Sequence, residues 1–339
     1  MNKYIKQLIK DNYSIGEISE IDRISSGLIH ETHRINTNKG SFILQKLHPK
    51  LSSIEILEDF EAVTEHLAKA GRNTPRLIRT KKGDLATQDD NQCWRMQTAL
   101  DGETFDNVPD DQIASEAGKA LAQFHSALED FEKPFKSNFI LHETQKELDT
   151  LVKSFSGAPE ALLSDQILLT KDLIVDSIPG RILPHNLPVG VIHGDPKISN
   201  IIFHENHAQA MIDLDTCQRG SVLLDLGDAF RDWCAVGEEG DLVFSIGLFT
   251  SGWRGYRSHA KGLCTAEVGY VRQAIELITL ELSARFLADY INDSYFSWDE
   301  SKYTCRRAHN LARAQGQLSL FNDIQKKQQQ IHAILSLPV

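Results

Sequence analysis

An aspartate followed five residues later by an asparagine, within Val191-Ile192-His193-Gly194-Asp195-Pro196-Lys197-Ile198-Ser199-Asn200, has the spacing of a phosphotransferase catalytic loop. Downstream, Ile212-Asp213-Leu214-Asp215-Thr216 adds two further carboxylates. Phosphoryl transfer asks for an acceptor hydroxyl held in line, a carboxylate to take its proton and oxygens to hold a divalent cation against the phosphates. Asp195 suits the acceptor hydroxyl. Asn200 and Asp213, with Asp215, suit Mg²⁺, which favours one or two carboxylates plus phosphate oxygens over an all-protein cage. His193 reads as a buried hydrogen-bonding residue that orients the loop rather than as a base.

Local elements must bring these groups together. The apolar run Val189 to Ile192 feeds the loop as a strand would. Ile201-Ile202-Phe203 and Ala208-Gln209-Ala210-Met211-Ile212 predict two short strands about a polar turn near Asn206-His207. Pairing about that turn sets Ile201 opposite Ile212, and Asn200 beside Asp213 with Cβ atoms roughly 5 Å apart.

With these motifs the chain resembles the aminoglycoside phosphotransferase and choline kinase superfamily, a small-molecule branch of the protein-kinase-like fold. Within it, the chain is most similar to the N-acetylhexosamine 1-kinase group. The narrower resemblance is carried by Ser26-Gly27-Leu28-Ile29 with Thr32, Phe42-Ile43-Leu44-Gln45-Lys46, Ile212 to Thr216, Asp225-Leu226-Gly227-Asp228-Ala229-Phe230-Arg231, and segments around Arg285 to Phe296 and His309 to Gln317. The likeness covers nearly the whole chain. It implies an α+β, two-lobed fold: a small antiparallel-sheet lobe with one major helix over residues 1–99, which binds nucleotide, and a larger, mainly helical lobe over 100–339, which holds the catalytic and substrate-binding residues. It also implies ATP and Mg²⁺ as cofactors and a small-molecule hydroxyl as acceptor, foremost the anomeric hydroxyl of an N-acetylhexosamine. Homoserine, an amino alcohol or an aminoglycoside is the alternative acceptor, and a nucleotide-binding pseudokinase the non-enzymatic alternative. Metal-dependent phosphate hydrolysis would leave the first lobe unexplained.

In that first lobe, strand character near 21–25, 29–36 and 41–47 surrounds a turn at Asn36-Thr37-Asn38-Lys39-Gly40. A helix is predicted from Ile54 to Ala70, with Ser52 and Glu55 as a capping box, Gly71 as its stop, and Ile56, Phe60, Val63 and Leu67 as its apolar stripe. Cys93 to Leu100 reads as a strand that Asp101-Gly102 breaks, and the lobe hinge is placed there. The resemblance implies a third-strand lysine that pairs with phosphates and with a glutamate of the helix; Lys46 and Glu58 are the expected pair. Strand alternation puts Gln45 and Lys46 on opposite faces, so either can be the residue that faces the phosphates. The loop Ser25-Ser26-Gly27-Leu28 stands where a phosphate-covering loop belongs, which makes Ser26 and Gly27 expected phosphate contacts. Met96 to Leu100, Gln97 and Ala99 among them, would present backbone groups to adenine.

In the second lobe, Ile113, Ala117, Leu121, Phe124 and Leu128 predict a core helix from Pro109 to Leu128, with His125 in a structural role. Residues 133–188 hold helix-like patterns broken at Gly157-Ala158-Pro159 and Pro179-Gly180. The resemblance assigns Asp225 to orienting the catalytic loop and Arg231 to neutralising nearby acid. Glu281, Arg285 and Asp289 fall on one face of a helix, by pattern alone an exposed ion-pair ladder. The likeness to sugar kinases makes that face a substrate wall, where Arg285 donates two hydrogen bonds to sugar or acetamide oxygens.

Composition agrees. The chain has 339 residues, 41% of them hydrophobic, which is enough for one large core or two lobes. A formal charge of -11 disfavours nonspecific nucleic-acid binding. No apolar run is long enough to span a membrane, and Met1-Asn2-Lys3-Tyr4 begins no secretory segment. Cysteines 93, 217, 234, 264 and 305 show no metal-ligand spacing and suit a reducing cytoplasm. The expected partner is a small-molecule substrate, with no nucleic acid and no membrane; the sequence leaves the oligomeric state open.

Overall fold

A computed structural model describes residues 2–24 and 29–337, so Ser26 and Gly27 lie outside the described residues. Helix α1 (Asn2–Asn12) is followed by β1 (Ile18–Ile24), β2 (Glu31–Thr37), β3 (Gly40–Lys46), α2 (Ile54–Lys69), β4 (Thr87–Asp89) and β5 (Gln92–Thr98). The strands form one antiparallel sheet in the order β1-β2-β3-β5-β4. The remainder is mainly helical: α3 (Asp111–Ala127), α4 (Thr144–Ser156), α5 (Asp165–Ser177), β6 (Gly190–Ile192), β7 (Ile201–His204), β8 (His207–Met211), β9 (Gln218–Gly220), α6 (Val222–Trp233), β10 (Ala235–Glu238), β11 (Asp241–Phe244), α7 (Ile246–Arg257), α8 (Thr265–Asn292), α9 (Arg306–Lys326) and α10 (Gln328–Leu335). The expected α+β class holds: sheet first, helices after.

Strand alternation gives the sheet two unlike faces. Ile35, Leu44, Trp94 and Met96 pack on Ile5, Leu8 and Ile9 of α1. That helix was not anticipated, although its apolar residues recur at helical spacing. On the other face, Thr32 pairs with Gln45, Gln45 with Arg95 and Ile43 with Gln97, which concentrates polar groups there. Helix α2 forms as expected, except that Ser53 is its N-cap and accepts from the Ile56 N–H. Ser52 instead donates to the Pro49 carbonyl, because the short turn Pro49–Leu51 takes its hydroxyl. Gly71, at φ +72°, ends the helix as expected.

The β7–β8 hairpin departs from the expected register by one residue. Its turn lies on Glu205 and Asn206, both at positive φ (49° and 62°), as a two-residue hairpin turn requires. Ile201 therefore faces Met211, not Ile212, and the irregularity between Ile202 and Phe203 takes up the odd residue. Asn200 accepts from the Ile212 N–H at 2.9 Å, and Asp213 begins the next turn at φ 63°.

Behind these hairpins lies the main core, with Leu121 and Phe124 of α3, Leu226, Phe230 and Trp233 of α6, and Phe249 and Trp253 of α7. Burying each large side chain contributes about 1.5–3 kcal/mol. Helices α3 and α7 touch backbone to backbone: a Cβ on Gly118 would stand 2.0 Å from the Gly252 carbonyl oxygen. Helix α6 packs as closely on α8, where a Cβ on Gly227 would stand 2.6 Å from the Ala274 carbonyl oxygen.

Candidate active site

Strand β6 pairs with β9 and delivers His193, Gly194 and Asp195 at its end. Asp225, fully buried at the start of α6, accepts from the N–H groups of His193 (2.7 Å) and Gly194 (2.8 Å) and from His125 Nε2 (2.8 Å). Burial alone would raise its carboxyl, but His125 and His193 hold it below the ordinary value. His193 Nδ1 accepts from the Asp195 N–H, so its Nε2 carries the proton that reaches the Ile212 carbonyl at 2.9 Å. Thr216 donates to the His193 carbonyl, Trp233 Nε1 to that of Pro196, and Asp232 accepts from the Ile198 N–H. Nearly every backbone group of the loop is thereby fixed before any substrate arrives.

On this loop Asp195 Oδ2 accepts from Lys197 Nζ at 2.9 Å and from Asn200 Nδ2 at 3.2 Å. Burial pushes the Asp195 carboxyl up; Lys197, with His193 and Arg231 behind it, outweighs burial and holds it well below the usual carboxylate range. Oδ1 makes no hydrogen bond among the described residues and can accept from a hydroxyl. Asn200 also gives its amide nitrogen to the Asp195 carbonyl at 2.8 Å, and its own Oδ1 makes no hydrogen bond among the described residues. Asp213, half-buried, makes no hydrogen bond or ion pair among the described residues. An amide oxygen and a carboxylate without a partner are the hard donors Mg²⁺ requires, so this pair fits the cation.

Asp215, expected as a third magnesium ligand, is placed differently. Both of its oxygens bind Arg95, through Nη1–Oδ1 and through Nη2–Oδ2 at 2.6 Å, and Oδ2 also meets His30 Nε2 at 3.2 Å. His30, Asp213 and Asp215 do bring ligand atoms within 4.8 Å of one another, but the Arg95 cation already neutralises Asp215. Burial raises the Asp215 carboxyl less than Arg95 and His30 lower it. Gln45 Oε1 accepts from Arg95 Nε (3.0 Å) and Nη2 (2.8 Å), and the Phe60 ring lies 4.5 Å from the guanidinium carbon.

The expected Lys46–Glu58 pair is not formed. Lys46 shares the face of Leu44, toward α1, and its ammonium lies 3.8 Å from Glu31, while Glu58 binds Lys136 at 2.9 Å. Strand alternation decides this: the face toward Asp215 holds Gln45 and Arg95. The buried acid of α2 is Asp59, which accepts from the N–H groups of Lys136 and Ser137. Gln97 lies on the Gln45 face with its Oε1 buried and without a partner among the described residues. The Ala99 N–H, expected among the groups offered to adenine, donates to the Ser41 carbonyl at 3.1 Å.

On α8 the exposed ion-pair ladder is overturned. Glu281 and Asp289 are 1% and 4% exposed. Glu281 accepts from His142 Nδ1 (2.9 Å) and Thr144 Oγ1 (2.6 Å). Asp289 accepts from the N–H groups of Ser294, Tyr295 and Phe296, each at 2.9 Å, and so shapes the turn beyond the helix. Arg285 is half-buried, 5.7 Å from the Phe296 ring, and makes no ion pair within 4 Å among the described residues. Tyr295 beside it receives Lys50 Nζ over its ring at 4.4 Å, a contact from the β3–α2 connection.

Arg95, His30, Lys197 and His142 escaped the sequence reading. Lys197 was visible beside Asp195, whereas the others acquire meaning only through partners distant in sequence. Among the described residues no helix is long and apolar enough to cross a membrane.

A family model described as the phosphotransferase enzyme family matches residues 20–259. A homoserine kinase of Beijerinckia indica subsp. indica is 25% identical over 281 residues, 83% of this chain and 84% of that protein. Among solved structures, the amicoumacin kinase hAmiN in complex with AMP-PNP, Ca²⁺ and Ami superposes with a TM-score of 0.66 at 14% identity, over 96% of this chain and 93% of its own. A microcompartment-associated aminopropanol kinase superposes with a TM-score of 0.65 at 14% identity, over 98% of this chain and 100% of its own.

Proposed function

The chain belongs to the phosphotransferase enzyme family and is a small-molecule kinase, and from that premise we propose that it transfers the γ-phosphoryl of ATP to the anomeric hydroxyl of an N-acetylated hexosamine. The observation that carries the transfer chemistry is Asp195: a carboxylate held ionised by Lys197, with one oxygen open, on a loop whose backbone is pinned by Asp225. Asp195 Oδ1 accepts the hydroxyl hydrogen and aims the acceptor oxygen. Because this carboxyl is a weak base, the O–H bond breaks late, as the new O–P bond forms and the bond to ADP opens. Lys197, on the other Asp195 oxygen, would offer its positive charge to the phosphoryl group as it approaches the acceptor. Asn200 Oδ1 and Asp213 would hold Mg²⁺, which neutralises phosphate charge when bound. The nucleotide would lie between residues 1–99 and 100–339, with Ser26 and Gly27 over its phosphates and the Gln97–Ala99 strand end along adenine. The site belongs to a cytoplasmic enzyme, in keeping with five free thiols.

Arg285 supports the sugar acceptor. A half-buried guanidinium beside Phe296 and Tyr295 offers two parallel donors and apolar ring faces, which match an acetamide oxygen and the C–H face of a pyranose. A homoserine acceptor is the second reading, favoured by the relative of that name. Formation of ADP with Mg·ATP across N-acetylglucosamine, simple hexoses, homoserine, choline and aminoglycosides, with Asp195→Asn as control, decides between them. Selective turnover of N-acetylglucosamine, reduced by about 10²–10⁴ in the variant, is expected. Preferred turnover of homoserine would replace the acceptor. Near-normal turnover by Asp195→Asn would overturn the role of that residue, and nucleotide binding without transfer to any acceptor would mark a pseudokinase.

A further inference from the structure

His142 sits where no sequence motif points. The segment that carries it is clipped to β9: the Leu141 N–H donates to Gln218 Oε1 at 3.0 Å, and Gln218 Nε2 donates to the Leu141 carbonyl at 2.9 Å. His142 itself has φ 65°, a left-handed conformation that non-glycine residues adopt only when the surroundings compel it. Its ring is buried between two oxygens. Nδ1 is 2.9 Å from Glu281 Oε1 and Nε2 is 2.8 Å from the Gly194 carbonyl oxygen. A carboxylate and a carbonyl can only accept, and a neutral imidazole has one N–H, so satisfying both contacts requires protons on both ring nitrogens.

We propose that His142 is a positioning residue for phosphoryl transfer: as an imidazolium it clamps the Gly194 carbonyl and ties the catalytic loop to the helix that carries Arg285. The proposal rests on Asp195 as the group that aims the acceptor. Gly194 is held from both sides, its N–H by Asp225 at 2.8 Å and its carbonyl by His142, which fixes the peptide plane leading into Asp195. Rotation of that plane is the motion that would swing Asp195 away from an acceptor. On the far side Glu281 is locked by Thr144 at 2.6 Å and lies one helical turn before Arg285, so the acceptor wall and the base share one hydrogen-bonded strut. The charged groups facing His142 are Glu281 and Arg285 of α8 and Asp228 of α6. Glu281 and Asp228 favour the imidazolium, and Arg285 opposes it less strongly than Glu281 supports it.

The test uses the full chain with ring ¹⁵N-labelled histidine. At neutral pH the His142 resonances, assigned by their loss in His142→Gln, are expected to show two protonated nitrogens; one pyridine-type nitrogen would overturn the clamp. His142→Gln is expected to lower kcat about ten- to a hundred-fold with N-acetylglucosamine or homoserine, whichever is turned over, and to leave the KM for ATP within about two-fold. An unchanged kcat would overturn the positioning role. Glu281→Gln, which keeps the side-chain shape, is expected to move the alkaline limb of the rate profile at least one pH unit lower; a profile that superposes on the unmodified enzyme would overturn the strut. The Glu281→Gln profile stands if His142→Gln fails to fold, and the His142 resonances are then assigned by their shift in Glu281→Gln, whose carboxylate is the Nδ1 partner. Loss of the Asp195 role, seen as an active Asp195→Asn, would leave the doubly protonated ring in place, which separates the two failures.

Discussion

Arg95→Met removes a guanidinium with a side chain 1% exposed from an aspartate that is equally buried. Among the described residues, what remains on the Asp215 carboxylate is one His30 contact at 3.2 Å. Breaking a buried ion pair from one side costs about 3–5 kcal/mol, because the surviving charge is stranded in low dielectric. With an unfolding entropy of ~2.1 cal/mol/K per residue, a chain of 339 residues unfolding as one unit has ~0.7 kcal/mol/K, so Tm should fall by about 4–7 °C. The pH dependence carries the sign. In the unmodified protein Arg95 holds the Asp215 carboxyl low; without Arg95, burial raises it above its unfolded value. A raised carboxyl stabilises the folded state in acid and destabilises it as pH climbs through the folded pKa. The deficit should therefore be largest near pH 8 and shrink toward pH 5. Arg95→Met combined with Asp215→Leu should recover most of the loss, since an apolar pair of similar volume is often as stable as a buried ion pair. Differential scanning calorimetry of the three variants from pH 5 to 8 is the assay. A Tm loss below about 1 °C in Arg95→Met, or a double variant less stable than the single one, would refute the account of this ion pair.

Lys46→Met should leave kcat and the KM for ATP within about two-fold, because Lys46 lies on the sheet face of Leu44 and, among the described residues, its ammonium meets only Glu31 at 3.8 Å; a ten-fold loss in steady-state kinetics would return it to the phosphates. Gly194→Ala places a Cβ 2.6 Å from the Thr216 carbonyl oxygen at φ +87°, so a stability loss of about 2 kcal/mol or more in urea, with kcat falling further than the KM for ATP changes, is expected. At the His142 ring burial pulls the pKa down, and Glu281 outweighs burial and pushes it up to about 9. Its contribution to stability is complete below the ordinary histidine value near 6.5 and lost as pH rises through about 9, so urea midpoints should decline over that window in the unmodified protein and less so in His142→Gln. Asp213→Asn, which tolerates the left-handed φ of 63°, should raise the Mg²⁺ concentration needed for half-maximal rate by at least about ten-fold while Tm holds, since the Asp213 side chain makes no hydrogen bond among the described residues.

The proximity of Asp195 and Asn200 was legible because both sit within one short loop, where covalent spacing alone limits how far apart two side chains can lie. The sheet strands, α2 and α3 were legible for a similar reason: periodic burial is a local property of the chain. Asp225 was also assigned correctly to the loop, through the resemblance and not through its spacing. Failures begin where parity or distance matters. A one-residue shift in the β7–β8 turn moved Ile201 from Ile212 to Met211, and the same two-residue alternation left Gln45 and Lys46 indistinguishable until β5 and α1 were placed on either side of β3. Glu281 and Asp289 carry the pattern of a solvent-facing ladder, yet they are buried because His142, Thr144, Asn310 and the 294–296 turn supply their partners. The sequence by itself determined that Asp195, Lys197 and Asn200 share one short loop. Only the tertiary structure decided that Arg95 neutralises Asp215 and that His142 binds Gly194, because a buried charge is stable only beside a partner, and these partners come from segments that local periodicity does not connect.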